Sequence, residues 1–279
     1  MVGVIPTMNT ITTAQVRELA PAAFSITPDS SLSASYAHVT TAHVLDALQQ
    51  DGWQVTDAKQ TRGRKRESLE HNRHEIALTH PALPHHAEGR PLVRLANSSD
   101  GGSAVRLIAG FLRFACTNQL YAGIKVAGGV FYHRGGDLEN RVVAGARELR
   151  ANFDKVISRV DLWREIELSP AQQLAFATRG VAYRWPTNGP EVNAQQLVTP
   201  LRVSDMNRSL WTTFNVVQER LVRGGFNASF ARLDDQGNPT AERSTRRIRK
   251  ITGIAANERI NTSLWNLAES VASGQEVLA

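Results

Sequence analysis

Apolar residues along this chain keep two different periods, and the switch between them marks out its elements. Val39, Ala42, Val44, Leu45 and Leu48 fall on one helical face, with Thr40 or Thr41 as N-cap and Gly52 where a C-terminal glycine belongs. Trp53 opens a region of short or alternating apolar runs. It predicts strands over Trp53–Ala58, His74–Thr79, Leu92–Asn97, Val105–Cys116 and Ile124–His133, separated by Gly, Asn, Asp and Pro as in an antiparallel sheet. After Gly135-Gly136, Leu138, Val142, Ala146, Leu149, Phe153, Val156, Val160 and Trp163 return to helical spacing and predict one long helix over Asp137–Arg164.

The second half reads as mostly helical. Ser169-Pro170 is a helix start, Pro186 to Pro190 is an interruption, and a further helix is predicted from about Asp205 through Val222. Arg223-Gly224-Gly225 ends it, with a basic residue at the negative end of the helix dipole and glycine for the cap. Phe226 to Asn238 reads as an exposed, turn-rich loop, and Asn257–Ala272 as the last helix, burying Ile260, Leu264, Leu267, Ala268 and Val271. The first 35 residues, rich in Thr, Ser, Ala and Pro, read as a loosely structured lead-in. The expected class is therefore α+β: an antiparallel β-sheet with a long helix packed on it, followed by a mostly helical C-terminal half. The expected division is 1–35, 36–165 and 166–279.

Charge adds a partner class to this picture. Lys and Arg number 32 against 26 Asp and Glu, a net +6 with a pI near 9.9, which suits a polyanion but is also an ordinary solubility charge, so placement has to decide. Lys59, Arg62, Arg64, Lys65, Arg66 and Arg73 lie between the first two predicted strands, where a hairpin tip can follow phosphates. Arg243, Arg246, Arg247, Arg249 and Lys250 precede the last helix without an intervening acid. The bland alternatives are a solvated loop for the first cluster and, for the second, pairing with Glu219, Asp234, Asp235 or Glu242.

Catalytic templates are missing. The chain has neither a phosphate-cradling glycine loop nor a nucleophile elbow, and its one cysteine, Cys116, sits in an apolar segment that favours packing over reactivity. His71, His74, His80, His85 and His86 are close in sequence, with Glu67, Glu70, Glu75 and Glu88 nearby. They show no metal-binding spacing, so loop histidines are favoured and neither metal nor cofactor is expected. A single cysteine, no secretory leader and no apolar run of about 18 residues point to a cytoplasmic protein that does not enter a membrane. Asn97-Ser98-Ser99-Asp100-Gly101-Gly102 reads as a structural turn, and Phe111, Phe114, Tyr121, Phe131 and Tyr132 as core in preference to base-stacking faces.

Three segments carry a resemblance: Leu95 to Gly102 followed by Ala109 to Asn118, then Leu210 to Glu219 with Gly224-Gly225, and finally Asn261 to Glu269. Together they resemble domain-of-unknown-function family nine-three-two, over nearly the whole chain from about Tyr36. The resemblance implies a phage, plasmid or prophage protein. Family members typically carry histidine where this chain has Ser99, which argues against a catalytic or metal-binding turn here. A looser similarity, in the order helix, strand, hairpin sheet, long helix, is to the core of Rad-type single-strand annealing proteins. Those assemble as rings and bind DNA in a basic groove, but order of elements does not fix function.

The expectation is thus a single-stranded DNA-binding protein of a mobile genetic element, handling strands in recombination or replication, with annealing as a homo-oligomer left open. The alternatives are a protein-binding anti-defence or host-takeover module and a metal-dependent nucleic-acid enzyme using the His80 to Glu88 segment.

Overall fold

The computed structural model describes residues 9–33, 35–61, 69–114, 119–121, 128–187, 189–276 and 278. The chain forms two compact units, Met1–Val156 and Ile157–Ala279. Both α and β elements are present, with an antiparallel sheet in the first unit and most of the second helical.

The first unit is built on a sheet of β1 (Gln54–Gln60), β2 (His74–Thr79), β3 (Gly89–Asn97), β4 (Val105–Arg113), β5 (Gln119–Tyr121) and β6 (Gly128–Phe131). Neighbours β1 to β4 pair in sequence order, and β5 and β6 both pair with β4. β4 ends at Arg113, short of the predicted Cys116, which lies outside the described residues as do 122–127 of the last predicted strand. The helices α2 (Thr41–Gln50) and α3 (Leu138–Ala151) pack on one another, and α3 packs on β4 and β6. Period-2 geometry sends His74, Ile76 and Leu78 to one face of β2 and Glu75 and Ala77 to the other. All five are buried, so this strand is covered on both sides.

Residues 9–33 of the lead-in are tied down. Thr12 and Gln15 form a reciprocal capping box that starts α1 (Thr13–Leu19), and Val16, Ala20, Ala22 and Ala23 are buried. The backbone N–H of Ile11 donates to Val55 O (2.9 Å) and that of Ala22 to Gln60 Oε1 (2.8 Å), fastening the segment to β1.

The predicted long helix is two. α3 stops at Ala151 and α4 (Asp154–Glu165) restarts after Asn152-Phe153. The Asn152 side chain donates to the Glu148 carbonyl (2.9 Å), a local bond that competes with helix propagation. Phe153, Val156, Val160 and Trp163 are nevertheless buried, so the apolar stripe that suggested one helix is real but is shared by two.

In the second unit α5 (Pro170–Arg184) opens with a Ser169–Gln172 capping box and proline in the first turn. It packs against α6 (Gln195–Val198), α7 (Leu210–Arg223) and α8 (Ile254–Ala272). α7 begins at Leu210, later than predicted, because Ser209 accepts from Thr212 N (3.1 Å) as its cap and Val203–Asp205 forms a separate 3-10 turn. The core is aromatic: Trp163 lies 4.5 Å from Trp265 and 5.6 Å from Phe214 between ring centres, and Trp211 is 5.9 Å from Phe214.

The predicted loop at 226–238 is instead half of a hairpin. β7 (Asn227–Leu233) pairs antiparallel with β8 (Pro239–Arg247) around a turn in which the Asp234 carboxylate accepts from the N–H groups of Gln236 and Asn238. The apolar signal that identifies strands is weak here: among the described side chains only the apolar Phe226, Ala228 and Ile248 are buried. Backbone pairing holds the two segments where side-chain pattern says little. No helix among the described residues is long and apolar enough to cross a membrane.

Candidate nucleic-acid interface

β8 and the residues after it carry the second basic cluster, and all five of its cations are exposed. Adjacent strand residues project to opposite faces, so Arg246 and Arg247 flank the strand on both sides. Arg246 lies opposite Ala228, with its guanidinium 5.5 Å from the centre of the partly exposed Phe230 ring. Arg249 and Lys250 follow the strand, near the close approach of Gly224 to the Ile248 carbonyl.

Neighbouring carboxylates leave most of this charge uncompensated. Arg243 pairs with Glu191 (2.7 Å). Glu219 is taken by Arg202 (2.7 Å) and Arg223 (2.9 Å), Glu242 by Arg232 (3.2 Å), and Asp234 by its turn, whose hydrogen bonds hold its carboxyl below the usual range. Among the described residues Arg246, Arg247, Arg249 and Lys250 make no ion pair, so four positive charges stand within five consecutive positions. Such a group can neutralise phosphates and release counterions without first breaking a salt bridge.

An aromatic residue that sequence reading passed over borders this group. Trp185 ends α5 before Pro186 and is partly exposed, with Phe226 edge-on to it at 6.4 Å. The Arg184 guanidinium sits 4.6 Å from its ring centre, donates from Nη1 to the Leu221 carbonyl, and from Nη2 to the Arg249 carbonyl (2.7 Å). Burial pushes the Arg184 pKa down to about 10, which still leaves it cationic near neutral pH. The sequence signal was a tryptophan at a helix end against a proline-bounded interruption, a position with no apolar stripe to claim it.

The first cluster is not assembled in the same way. Arg62, Arg64, Lys65 and Arg66 lie outside the described residues. Arg73 is partly exposed, and its carbonyl accepts from Thr61 N (2.8 Å). Lys59 is engaged by Glu75 (2.9 Å), which also contacts the buried Arg94 and accepts from the Tyr121 hydroxyl (2.7 Å). Burial opposes the Glu75 charge, but Arg94, Lys59 and the Tyr121 hydrogen bond override it and hold the carboxyl below the ordinary range.

His71, His74, His80 and His86 each hydrogen-bond a different neighbour. His74 is buried between the Asn72 carbonyl and the Thr41 hydroxyl, and Asn97 joins Thr41 to His133 through bonds of 2.9 Å each. His80 contacts the Asp51 carbonyl, His86 packs edge-on to Phe111, and His85 is exposed. Among the described residues no three His, Cys, Asp or Glu side chains are grouped to hold a metal ion. The Asn97–Gly102 segment is a turn anchored by Asn97, by the Ser98 carbonyl accepting from Tyr36, and by Asp100 accepting from Gly102 N (2.8 Å). Phe111 and Tyr121 are core residues.

Comparison with known proteins finds relatives over most of the chain. The family described as Domain of unknown function (DUF932) matches residues 29–265. The chain is 31% identical over 263 residues to UPF0380 protein YfjQ of Escherichia coli (strain K12), covering 94% of this chain and 91% of that one, and equally to UPF0380 protein YafZ of the same strain. No solved structure matches. The segments Leu210 to Glu219 and Asn261 to Glu269 are mostly core: Trp211, Phe214, Leu264 and Trp265 are buried, and Gln218 donates to Asn261 (2.9 Å) between the helices.

Proposed function

The chain belongs to the DUF932 family, whose description names no activity, and we propose that it binds single-stranded DNA through the base of the β7–β8 hairpin. One observation carries this reading: Arg246, Arg247, Arg249 and Lys250 are exposed and, among the described residues, without a carboxylate partner, while Glu191, Glu219, Glu242 and Asp234 are engaged by other groups. Phosphate neutralisation supplies affinity without requiring a fixed docking geometry. A partly exposed Phe230 beside Arg246 favours unpaired bases, because only a single strand offers its base faces for stacking. The biological setting proposed is strand handling or annealing in replication or recombination of a mobile element, by an oligomer.

Fluorescence anisotropy with single-stranded and duplex DNA at two salt concentrations, together with mass photometry, tests it. Tight salt-sensitive binding to the single strand, lost when the four cations are changed to Glu, is the expected result. Unchanged affinity in that folded variant removes the hairpin from the reading.

A second reading, a protein-binding module, has its own observation. Between α6 and α7, Leu201, Val203 and Met206 are 54%, 85% and 69% exposed, beside a cavity of about 330 Å³ lined in part by Val198, Pro200, Met206 and Val216. A partner that survives nuclease treatment and is lost on Val203→Asp with Met206→Asp favours this reading over the first.

A further inference from the structure

Trp185 differs from every other tryptophan of the chain. Trp53, Trp163, Trp211 and Trp265 are buried, three of them in the aromatic core of the second unit, whereas Trp185 is partly open to solvent at the end of α5. Its surroundings are organised. Phe226 braces it edge-on, Gly189 lies so close that a Cβ there would stand 2.9 Å from the Trp185 Cβ, and Arg184 lies over the ring. Both Arg184 Nη atoms are committed to backbone carbonyls, so this guanidinium cannot swing out to follow a phosphate and acts as a fixed planar layer. One of those carbonyls belongs to Arg249, which fixes the indole–guanidinium pair beside the backbone that carries Arg249 and Lys250, two exposed cations without an ion pair among the described residues.

We infer that the Trp185–Arg184 pair is a nucleobase-stacking platform, on which an unpaired base adds a further layer while the adjoining phosphates lie against Arg249 and Lys250. Stacking between a base and an aromatic or guanidinium plane tolerates any sequence, because every base has a π face. A duplex keeps its bases stacked on one another and cannot use such a platform. The inference rests on the proposed single-strand binding and adds to it a site that reads bases.

The test pairs a thymidine strand of about 20 nucleotides, long enough to cover a typical binding site, with an abasic strand of equal length at the same salt concentration. The whole protein should bind the thymidine strand more tightly. That binding should quench the acrylamide-accessible part of the tryptophan emission, which Trp185 dominates. Trp185→Ala should weaken thymidine-strand binding roughly five- to a hundredfold, the range of a single aromatic stack, and leave abasic-strand binding unchanged. Trp185→Phe should retain most of the affinity, and circular dichroism melting of both variants reports their folding. Equal affinity of the wild-type protein for both strands, or thymidine binding without a change in accessible emission, overturns the platform while leaving phosphate binding intact. Failure of the wild-type protein to bind either strand removes the underlying reading as well.

Discussion

The hydroxyl of Thr41 and Nε2 of His74 lie 2.8 Å apart, and the direction of the hydrogen bond between them is determined by their neighbours. His74 Nδ1 faces the Asn72 carbonyl at 3.0 Å and must carry the ring proton, so Nε2 accepts and Thr41 donates. Asn97 in turn donates to Thr41, which makes this threonine the relay between helix α2 and strands β2 and β3.

Thr41→Val keeps the shape and removes the relay, leaving His74 Nε2 and Asn97 Nδ2 without it inside the core. The expected loss is about 2–4 kcal/mol in denaturant unfolding, the cost of one or two unsatisfied buried groups. Thr41→Ser should recover most of it.

Acid should weaken the first unit through His74. Burial, opposed by the Asn72 hydrogen bond, pushes its pKa down to about 4, against about 6.5 for an exposed histidine. The folded form therefore prefers the neutral ring. Its contribution is complete above pH 6.5 and is lost as the pH falls from there toward 4, because the unfolded chain takes up a proton that the folded one refuses. The whole shift corresponds to about 3 kcal/mol. Burial lowers the His133 pKa too, in the same direction. Unfolding curves at pH 7 and pH 4.5 should differ accordingly, and His74→Gln should flatten the dependence; an unchanged slope in that variant assigns the effect elsewhere.

Glu75 and Arg94 are tied by register. Glu75 pairs with Ala96 and Arg94 with Ala77, which puts the two charges diagonally on one buried face of neighbouring strands. Removing one partner strands the other. Glu75→Ala should cost about 3–5 kcal/mol, while the double change Glu75→Leu with Arg94→Met should cost much less than the sum of the single changes. A double-mutant cycle by chemical denaturation reads this directly.

Gly224 joins the end of α7 to the hairpin with φ 71° and ψ −140°, and a Cβ there would meet the Ile248 carbonyl oxygen at 2.4 Å. Both the dihedral angles and the backbone contact exclude a side chain. Gly224→Ala is expected to destabilise the second unit by more than about 2 kcal/mol. Gly237, with φ 84° but open space around it, should cost only about 1 kcal/mol on the same change, and thermal melts compare the two.

Salt dependence separates the cations of the hairpin. For a single strand each neutralised phosphate adds about 0.7 to the slope of log affinity against log salt. Arg246→Ala and Arg247→Ala should each lower that slope by about this amount. Arg243→Ala, whose partner Glu191 already holds it, should change it far less.

Much of the fold was legible because its signals are local. The helical spacing of Val39 to Leu48, the Ser169-Pro170 start, the strand His74–Thr79 and the glycine after Arg223 all depend on a few neighbouring residues, and each has its place in the structure. The break at Asn152 was hidden because the apolar stripe continues across it, and the hairpin because its strands are paired through backbone groups and carry little apolar side chain.

By itself, then, the order of residues determined the helix and strand periods, their caps and the family, all of which follow from short-range spacing. Which charges remain uncompensated was decided only by the tertiary structure. Nothing in the chain order tells that Glu219 goes to Arg202 and Arg223, that Lys59 is consumed by Glu75, or that Arg184 is locked over Trp185 beside Arg249. Coulomb attraction and hydrogen bonding act through space, so a basic run becomes a binding surface only where folding leaves it without acids.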